Sequence, residues 1–206
     1  MSKAILFDFD GVLTNDLIFV GFRKKNPKLW NFLQKEIFVH NKKHTLFKEY
    51  MRGEFNYKYF LECLSAQTKV PYQELEEEFF SSIYSIKVDN LILDFISKLK
   101  KKFKVALISD NIDIFSQIVV KNNRLDELFP VIINSFDYGF LKTDQNGELL
   151  DIAIRAIRHN DYKHSLMIDD CKTVVKIFKK KGGRAFLFNQ SQNLKRFFSR
   201  YRFFNC

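Results

Sequence analysis

The chain has 206 residues, 46% hydrophobic and 28% charged, the balance of a soluble globular protein, and its length suits one core domain with an insertion. No apolar run approaches the about 20 residues of a membrane helix, and the start does not read as a signal peptide, so a membrane role is not expected. The net charge of +10 is spread over "RKKNPK", "NKK", "KLKKK" and "KKKGG", a pattern of solvated helix ends that argues against nucleic acid as the main partner and favours anionic small substrates.

The first predicted element is a strand, "AILFDFD", whose apolar residues run into two carboxylates, Asp8 and Asp10, followed by Gly11. Residues 15–86 carry no strand pattern. They read instead as amphipathic helical segments, "NPKLWNFLQKEIFVH", "HTLFKEYM", "NYKYFLECLSAQT" and "PYQELEEEFFSSIY", with Pro27 and Pro71 at helix starts and Gly53 at a break. Helix and strand then alternate. Helical periodicity covers Asn90 to Lys102, Ile112 to Asn122, Glu148 to Asn160 and Lys172 to Lys181, the last stopped by Gly182-Gly183. Between these lie the strand runs "KVALISD", "VIINSF", "SLMIDD" and "RAFLF". The alternation predicts an α/β fold, a doubly wound, Rossmann-like parallel-sheet core formed by residues 1–14 and 87–206. Residues 15–86 would be a helical cap inserted after the first strand.

In such sheets chemistry gathers at the carboxyl ends of the strands. The residues just past the strands here are Asp8 and Asp10, Ser109, Lys142 (through "DYGFLK"), and Asp169 with Asp170. Acids, a hydroxyl and a lysine are the composition of a phosphoryl-transfer site with a hard divalent cation. Mg²⁺ takes oxygen ligands and keeps several waters, and Asp8 and Asp170 could supply its carboxylates. A carboxylate such as Asp8 can attack phosphorus once cation and lysine offset the repulsion between two anions. Asp10, two residues along, points to the same side and can protonate a leaving group. Gly11 lets backbone N–H groups approach a phosphate.

These residues carry a family resemblance. "DFDGVLT", "LISD", Lys142 and "MIDD" resemble, in order, the four motifs of the haloacid dehalogenase-like superfamily, and the helical insert resembles its α-helical (C1-type) cap. The resemblance implies Asp8 as nucleophile, and Asp10 as general acid/base with its carbonyl on Mg²⁺. It implies Ser109 on a phosphate oxygen and Lys142 steadying nucleophile and phosphate. It also implies Asp170 as a direct Mg²⁺ ligand and Asp169 acting through a metal-bound water. True dehalogenases of the superfamily lack the second aspartate of the first motif, so Asp10 points to phosphate esters. The family usually has Asn after the hydroxyl residue of the second motif; here Asp110 follows and Asn111 comes next. Both join Gly11, Ser109 and Lys142 as candidates for substrate binding, provided the extra carboxylate turns away from phosphate. Thr143-Asp144 replaces the common Pro-Asp after Lys142, with Asp144 suited to cap a helix.

The expected activity is therefore a Mg²⁺-dependent phosphatase for a small phosphorylated metabolite, acting through an aspartyl-phosphate. A phosphomutase on the same site and a scaffold protein that kept the fold are the alternatives. Cys63, Cys171 and Cys206 are far apart, with no CxxC pair, and read as free thiols of a reducing cytoplasm. Glu36, His40 and His44 have metal-ligand spacing, but no cysteine or further histidine completes a zinc shell. The tail "LKRFFSRYRFFNC" alternates basic and aromatic residues and reads as a closing helix laid on the core, a membrane surface or nucleic acid being the lesser readings. Nothing in the chain indicates an oligomeric state.

Overall fold

Every residue of the first strand, β1 (Ala4–Phe7), is buried, because the strand lies at the centre of a parallel sheet covered on both faces. The computed structural model describes residues 3–38, 45–88, 90–158 and 162–188. Its sheet has five parallel strands in the order β3-β2-β1-β4-β5, with β2 at Lys104–Ser109, β3 at Val131–Asn134, β4 at Ser165–Asp169 and β5 at Arg184–Leu187. In β1, Phe7 stands opposite Leu107 of β2 and Ile168 of β4. Successive side chains alternate between faces. Ile5 and Phe7 enter one apolar cluster, while Ala4 and Leu6 enter the other.

Between β1 and β2 the described residues form only helical elements. These are α1 (Phe22–Lys25), α2 (Pro27–Phe32) running into a π-helical turn at Leu33–Ile37, α3 (Leu46–Met51), α4 (Tyr57–Thr68), α5 (Tyr72–Ser85) and α6 (Asn90–Lys100). Their starts follow local chemistry. Asn26 accepts from the Leu29 N–H with Pro27 in the first turn, Thr45 accepts from Lys48, and Asn56 accepts from Lys58 and Tyr59. After β2 come a π-helical turn at Phe115–Val119, α7 (Val120–Asn122), α8 (Leu125–Leu128), α9 (Ser135–Tyr138), α10 (Glu148–Ala156) and α11 (Lys172–Lys180). Leu149, Leu150, Ala153 and Ile154 of α10 and Val174, Val175 and Phe178 of α11 cover the Ala4/Leu6 face. No helix among the described residues is long and apolar enough to cross a membrane.

The helices before α6 and the opposite sheet face share one apolar cluster. Its centre is aromatic: Phe19, Tyr50, Phe60 and Phe79 are fully buried, with Tyr50–Phe60 centroids at 4.9 Å and Phe19–Phe79 at 5.4 Å. Phe9 meets Phe115 edge-on at 4.9 Å. A polar tie crosses the same boundary. The Tyr50 hydroxyl donates to Asp113, whose other carboxylate oxygen accepts from the Tyr57 N–H at 3.0 Å.

Burial first, then the bond to Asp113 and its charge, hold the Tyr50 hydroxyl far above the ordinary tyrosine range. The folded state therefore keeps a proton that the unfolded chain loses above about pH 10, so this contribution is intact below pH 10 and shrinks as the pH rises beyond it. Tyr50→Phe is expected to cost about 1–3 kcal/mol at neutral pH by leaving Asp113 short of a donor. It should also flatten the alkaline loss of stability by up to about 1.4 kcal/mol per pH unit. Denaturant midpoints of both proteins between pH 8 and 11 measure the two effects, and parallel curves would contradict the argument.

Candidate active site

The strand order sets the carboxyl ends of β3, β2, β1 and β4 side by side, with β1 and β4 flanking the point where the connections turn to opposite sides. Asp8 extends the β1–β4 ladder by one residue, its N–H donating to the Ile168 carbonyl at 3.0 Å. Asp8 is only 4% exposed, and Asp169, the last residue of β4, is fully buried. Between them lies the Lys142 ammonium, 2.6 Å from Asp8 Oδ2 and 2.8 Å from Asp169 Oδ2. The Lys142 N–H donates to Asp110 Oδ1 at 2.7 Å, so the extra carboxylate of "LISD" fastens the lysine loop.

The electrostatics follow from this crowding. Burial pulls the Lys142 ammonium down, but Asp169, Asp8 and Asp110 outweigh it and hold it well above its ordinary range. Asp8 is held well above the usual carboxylate range, by burial first and then by Asp169, with Lys142 pulling the other way. Asp110 is pushed up to about 6, mainly by burial, against the pull of Lys142.

Asp10 keeps a solvent-facing edge, yet its carboxyl is pushed up to about 7. The bulk of surrounding protein is the main cause; Lys142 opposes it, and Asp170 and Asp110 add to it. Asn111 Nδ2 donates to Asp10 Oδ2 at 2.9 Å and to Ser109 Oγ at 3.3 Å, joining the ends of β1 and β2. Ser109 itself is fully buried.

Gly11 sits in the tight turn that follows β1. Its N–H donates to the Thr14 carbonyl at 2.8 Å, closing the turn in which Leu13 and Thr14 bond back to Phe9. Its φ is +74°, and a Cβ there would lie 2.2 Å from Asp170 Oδ2. The missing side chain admits Asp170 to the site.

That admission completes a carboxylate cluster. Asp8, Asp169 and Asp170 each offer an oxygen within 4.8 Å of the others. Clustered hard oxygen donors, more numerous than the one ammonium set among them, fit a Mg²⁺ ion. Gly11→Ala should therefore displace Asp170 and weaken Mg²⁺ binding by about tenfold or more, while costing about 1–2 kcal/mol of stability through the strained φ. Calorimetric titration with Mg²⁺ checks this, and unchanged affinity would show that Asp170 is not a ligand.

Asp144 departs from expectation. It does not cap α10, whose N-cap position is Gly147 with no side-chain cap. Its carboxylate instead accepts from the Leu141 N–H at 3.0 Å and from Arg52. Three contributors were missed: Arg52, Asp113 and Ser135, whose Oγ accepts from the Asn111 N–H at 2.9 Å. Only Ser135 carried a signal, as part of the polar pair Asn134-Ser135 within "VIINSF". Cys171 donates its N–H to Asp169 Oδ1 at 2.7 Å. His40, His44 and the aromatic tail lie outside the described residues, and Glu36 is an exposed residue of the π-helical turn after α2.

The same fold occurs in known proteins. A HAD family enzyme from Bacteroides thetaiotaomicron, solved with magnesium and inorganic phosphate, superposes with a TM-score of 0.77 at 20% identity, covering 96% of this chain and 100% of that one. A HAD-like family hydrolase from Porphyromonas gingivalis gives 0.76 at 18% identity, covering 97% of each chain. A 2-haloacid dehalogenase from Pseudomonas syringae gives 0.62 at 17% identity, covering 94% of this chain and 89% of that one. At these identities the likeness is one of fold. No curated protein sequence matches the chain. The family model for haloacid dehalogenase-like hydrolases matches residues 2–180, most of the chain, and the protein belongs to that family.

Proposed function

We propose that the protein is a Mg²⁺-dependent phosphatase that hydrolyses a small phosphomonoester through an aspartyl-phosphate on Asp8. The observation that carries this reading is the Lys142 ammonium held 2.6 Å from Asp8 and 2.8 Å from Asp169. A nucleophile of this kind needs its charge balanced and its lone pair directed. Asp8, Asp169 and Asp170 would hold the ion. Bound there, Mg²⁺ supplies charge neutralisation of nucleophile and phosphate. That the Bacteroides thetaiotaomicron enzyme was solved with both magnesium and phosphate supports the same pairing here.

The chain's own residues divide the work in two steps. An Asp8 carboxylate oxygen attacks phosphorus as the P–O bond to the leaving alkoxide breaks, and protonated Asp10 gives that oxygen its proton. Asp10 then takes a proton from water, which attacks phosphorus and releases phosphate and free Asp8. A carboxyl pushed up to about 7 suits both directions of transfer near neutral pH. Lys142 and Ser109 orient the phosphoryl oxygens, and the helical block of residues 15–86 closes over the substrate and excludes bulk water.

The test is phosphate release from p-nitrophenyl phosphate and a panel of metabolite phosphates, with Mg²⁺ and with chelator. Metal-dependent release is expected. Folded, Mg²⁺-supplied protein that releases phosphate from none of them, or halide from 2-chloropropionate instead, would overturn the reading.

A further inference from the structure

We propose that Arg52, contributed by the helical block, is a positioning residue that sets Lys142 between Asp8 and Asp169. The proposal rests on the phosphatase reading for its kinetic consequence, although not for its geometry. Three consecutive residues at the end of α3 touch the loops that build the site. The Met51 carbonyl accepts from Ser135 Oγ at 2.7 Å, and the same Oγ accepts from the Asn111 N–H. Gly53, at φ +74°, passes so close to the Phe136 carbonyl oxygen that a Cβ would lie 2.4 Å from it. Arg52 makes a two-point fork, Nε to Asp144 Oδ2 at 2.6 Å and Nη2 to Asp144 Oδ1 at 3.0 Å.

The fork acts on Lys142 through one short loop. Asp144 accepts from the Leu141 N–H at 3.0 Å, and its own N–H returns to the Leu141 carbonyl at 2.9 Å. Lys142 follows Leu141 directly, and its N–H is held by Asp110. Two carboxylates thus pin two consecutive N–H groups, and Arg52 pins one of those carboxylates. The pair is not an ordinary surface bridge: the side chains are 13% and 21% exposed, and Arg52 Nη1 is buried with no hydrogen-bond partner among the described residues. A guanidinium fork fixes orientation as well as charge, so a lysine at position 52 reproduces only half of it. The block thus fixes, through Arg52 and Asp144, the backbone on the N-terminal side of Lys142.

The experiment compares Arg52→Met, Arg52→Lys, Asp144→Asn and the double variant R52M/D144N with wild type. The steady-state readout is the split between kcat and KM. The second readout is the ¹H–¹⁵N resonance of the Lys142 ammonium, assigned with Lys142→Arg. Arg52→Met and Asp144→Asn should each lower kcat by about 10- to 100-fold with KM within about threefold, since a displaced catalytic group costs rate. Arg52→Lys should recover part of the loss. The double variant should be no worse than the worse single one, because both changes break one unit.

The Lys142 resonance should shift or broaden in Arg52→Met and stay near wild type in Arg52→Lys. Unchanged kcat, losses that multiply in the double variant, or an unmoved resonance would overturn the proposal. Should Arg52→Met fail to fold, Arg52→Lys and Asp144→Asn decide by the same criteria. If wild type proves not to be a phosphatase, the resonance alone decides, so the two readings fail separately.

Discussion

Asp8→Asn is expected to abolish phosphate release, by at least about 10³-fold, because the amide cannot form the covalent intermediate. The same change should leave the fold as stable as wild type or more stable at pH 7–8. The reason is the sign of the Asp8 shift. Burial and the neighbouring Asp169 raise its carboxyl well above the usual range, and Lys142 only partly offsets them. The folded state thus binds this proton more tightly than the unfolded chain does. Its stabilising contribution is full below about pH 4 and is lost as the pH rises through the folded-state value. Asparagine has no proton to lose, so metal-free melting curves of the variant should vary less between pH 5 and 8. Turnover above about 1% of wild type would remove Asp8 from the nucleophile's role. A variant much less stable than wild type at pH 7.5 would contradict the electrostatic argument.

Lys142→Met should fail on both counts. The ammonium lies between Asp8 and Asp169, and it is 3% exposed. Removing one partner of a buried ion cluster costs about 3–5 kcal/mol, since the carboxylates left behind are neither solvated nor paired. The folded-state value of Lys142 is raised, so in wild type its contribution is fully present below about pH 10 and is lost only above it. The variant lacks that contribution throughout. Its deficit should nevertheless narrow toward pH 5, as Asp8 takes up a proton and the repulsion falls. Added Mg²⁺ should recover part of the stability by supplying positive charge to the same carboxylates. Activity should fall by about 10³-fold or more with the loss of charge at nucleophile and phosphate. A deficit that stays constant from pH 5 to 8 would mean that Lys142 contributes packing and not charge.

How far these outcomes could be read from the chain alone varies with the range of the interaction. The strand runs "AILF", "KVALIS", "VIIN", "SLMID" and "RAFL" and the helices Asn90–Lys100, Tyr57–Thr68 and Lys172–Lys180 were legible because apolar period and capping chemistry are local. The short helices Phe22–Lys25, Leu125–Leu128 and Ser135–Tyr138 were not, since one turn of helix has too little periodicity to stand out. Asp8, Asp10, Ser109, Asp169 and Asp170 could be singled out by a single rule, that polar residues stationed at strand ends converge. Lys142, well past the end of β3, could be singled out by its place in the motif order of the family the chain resembles.

What a residue does within the site was less visible. That Gly11 makes room for Asp170 was not foreseen, and Asp144 was expected to cap a helix and holds Arg52 and Leu141. Those roles depend on partners 92 residues apart for Arg52–Asp144, 63 for Tyr50–Asp113 and 101 for Asn111–Asp10. By itself the sequence determined the strands and the longer helices, their class and the kinds of atom at the strand ends, because these follow from backbone periodicity and from residues a few positions apart. Only the tertiary structure decided which carboxylate faces Lys142, which glycine yields to which acid and which arginine closes the loop. A side chain's charge partner is set by where the whole chain brings another group, and no local pattern records that distance.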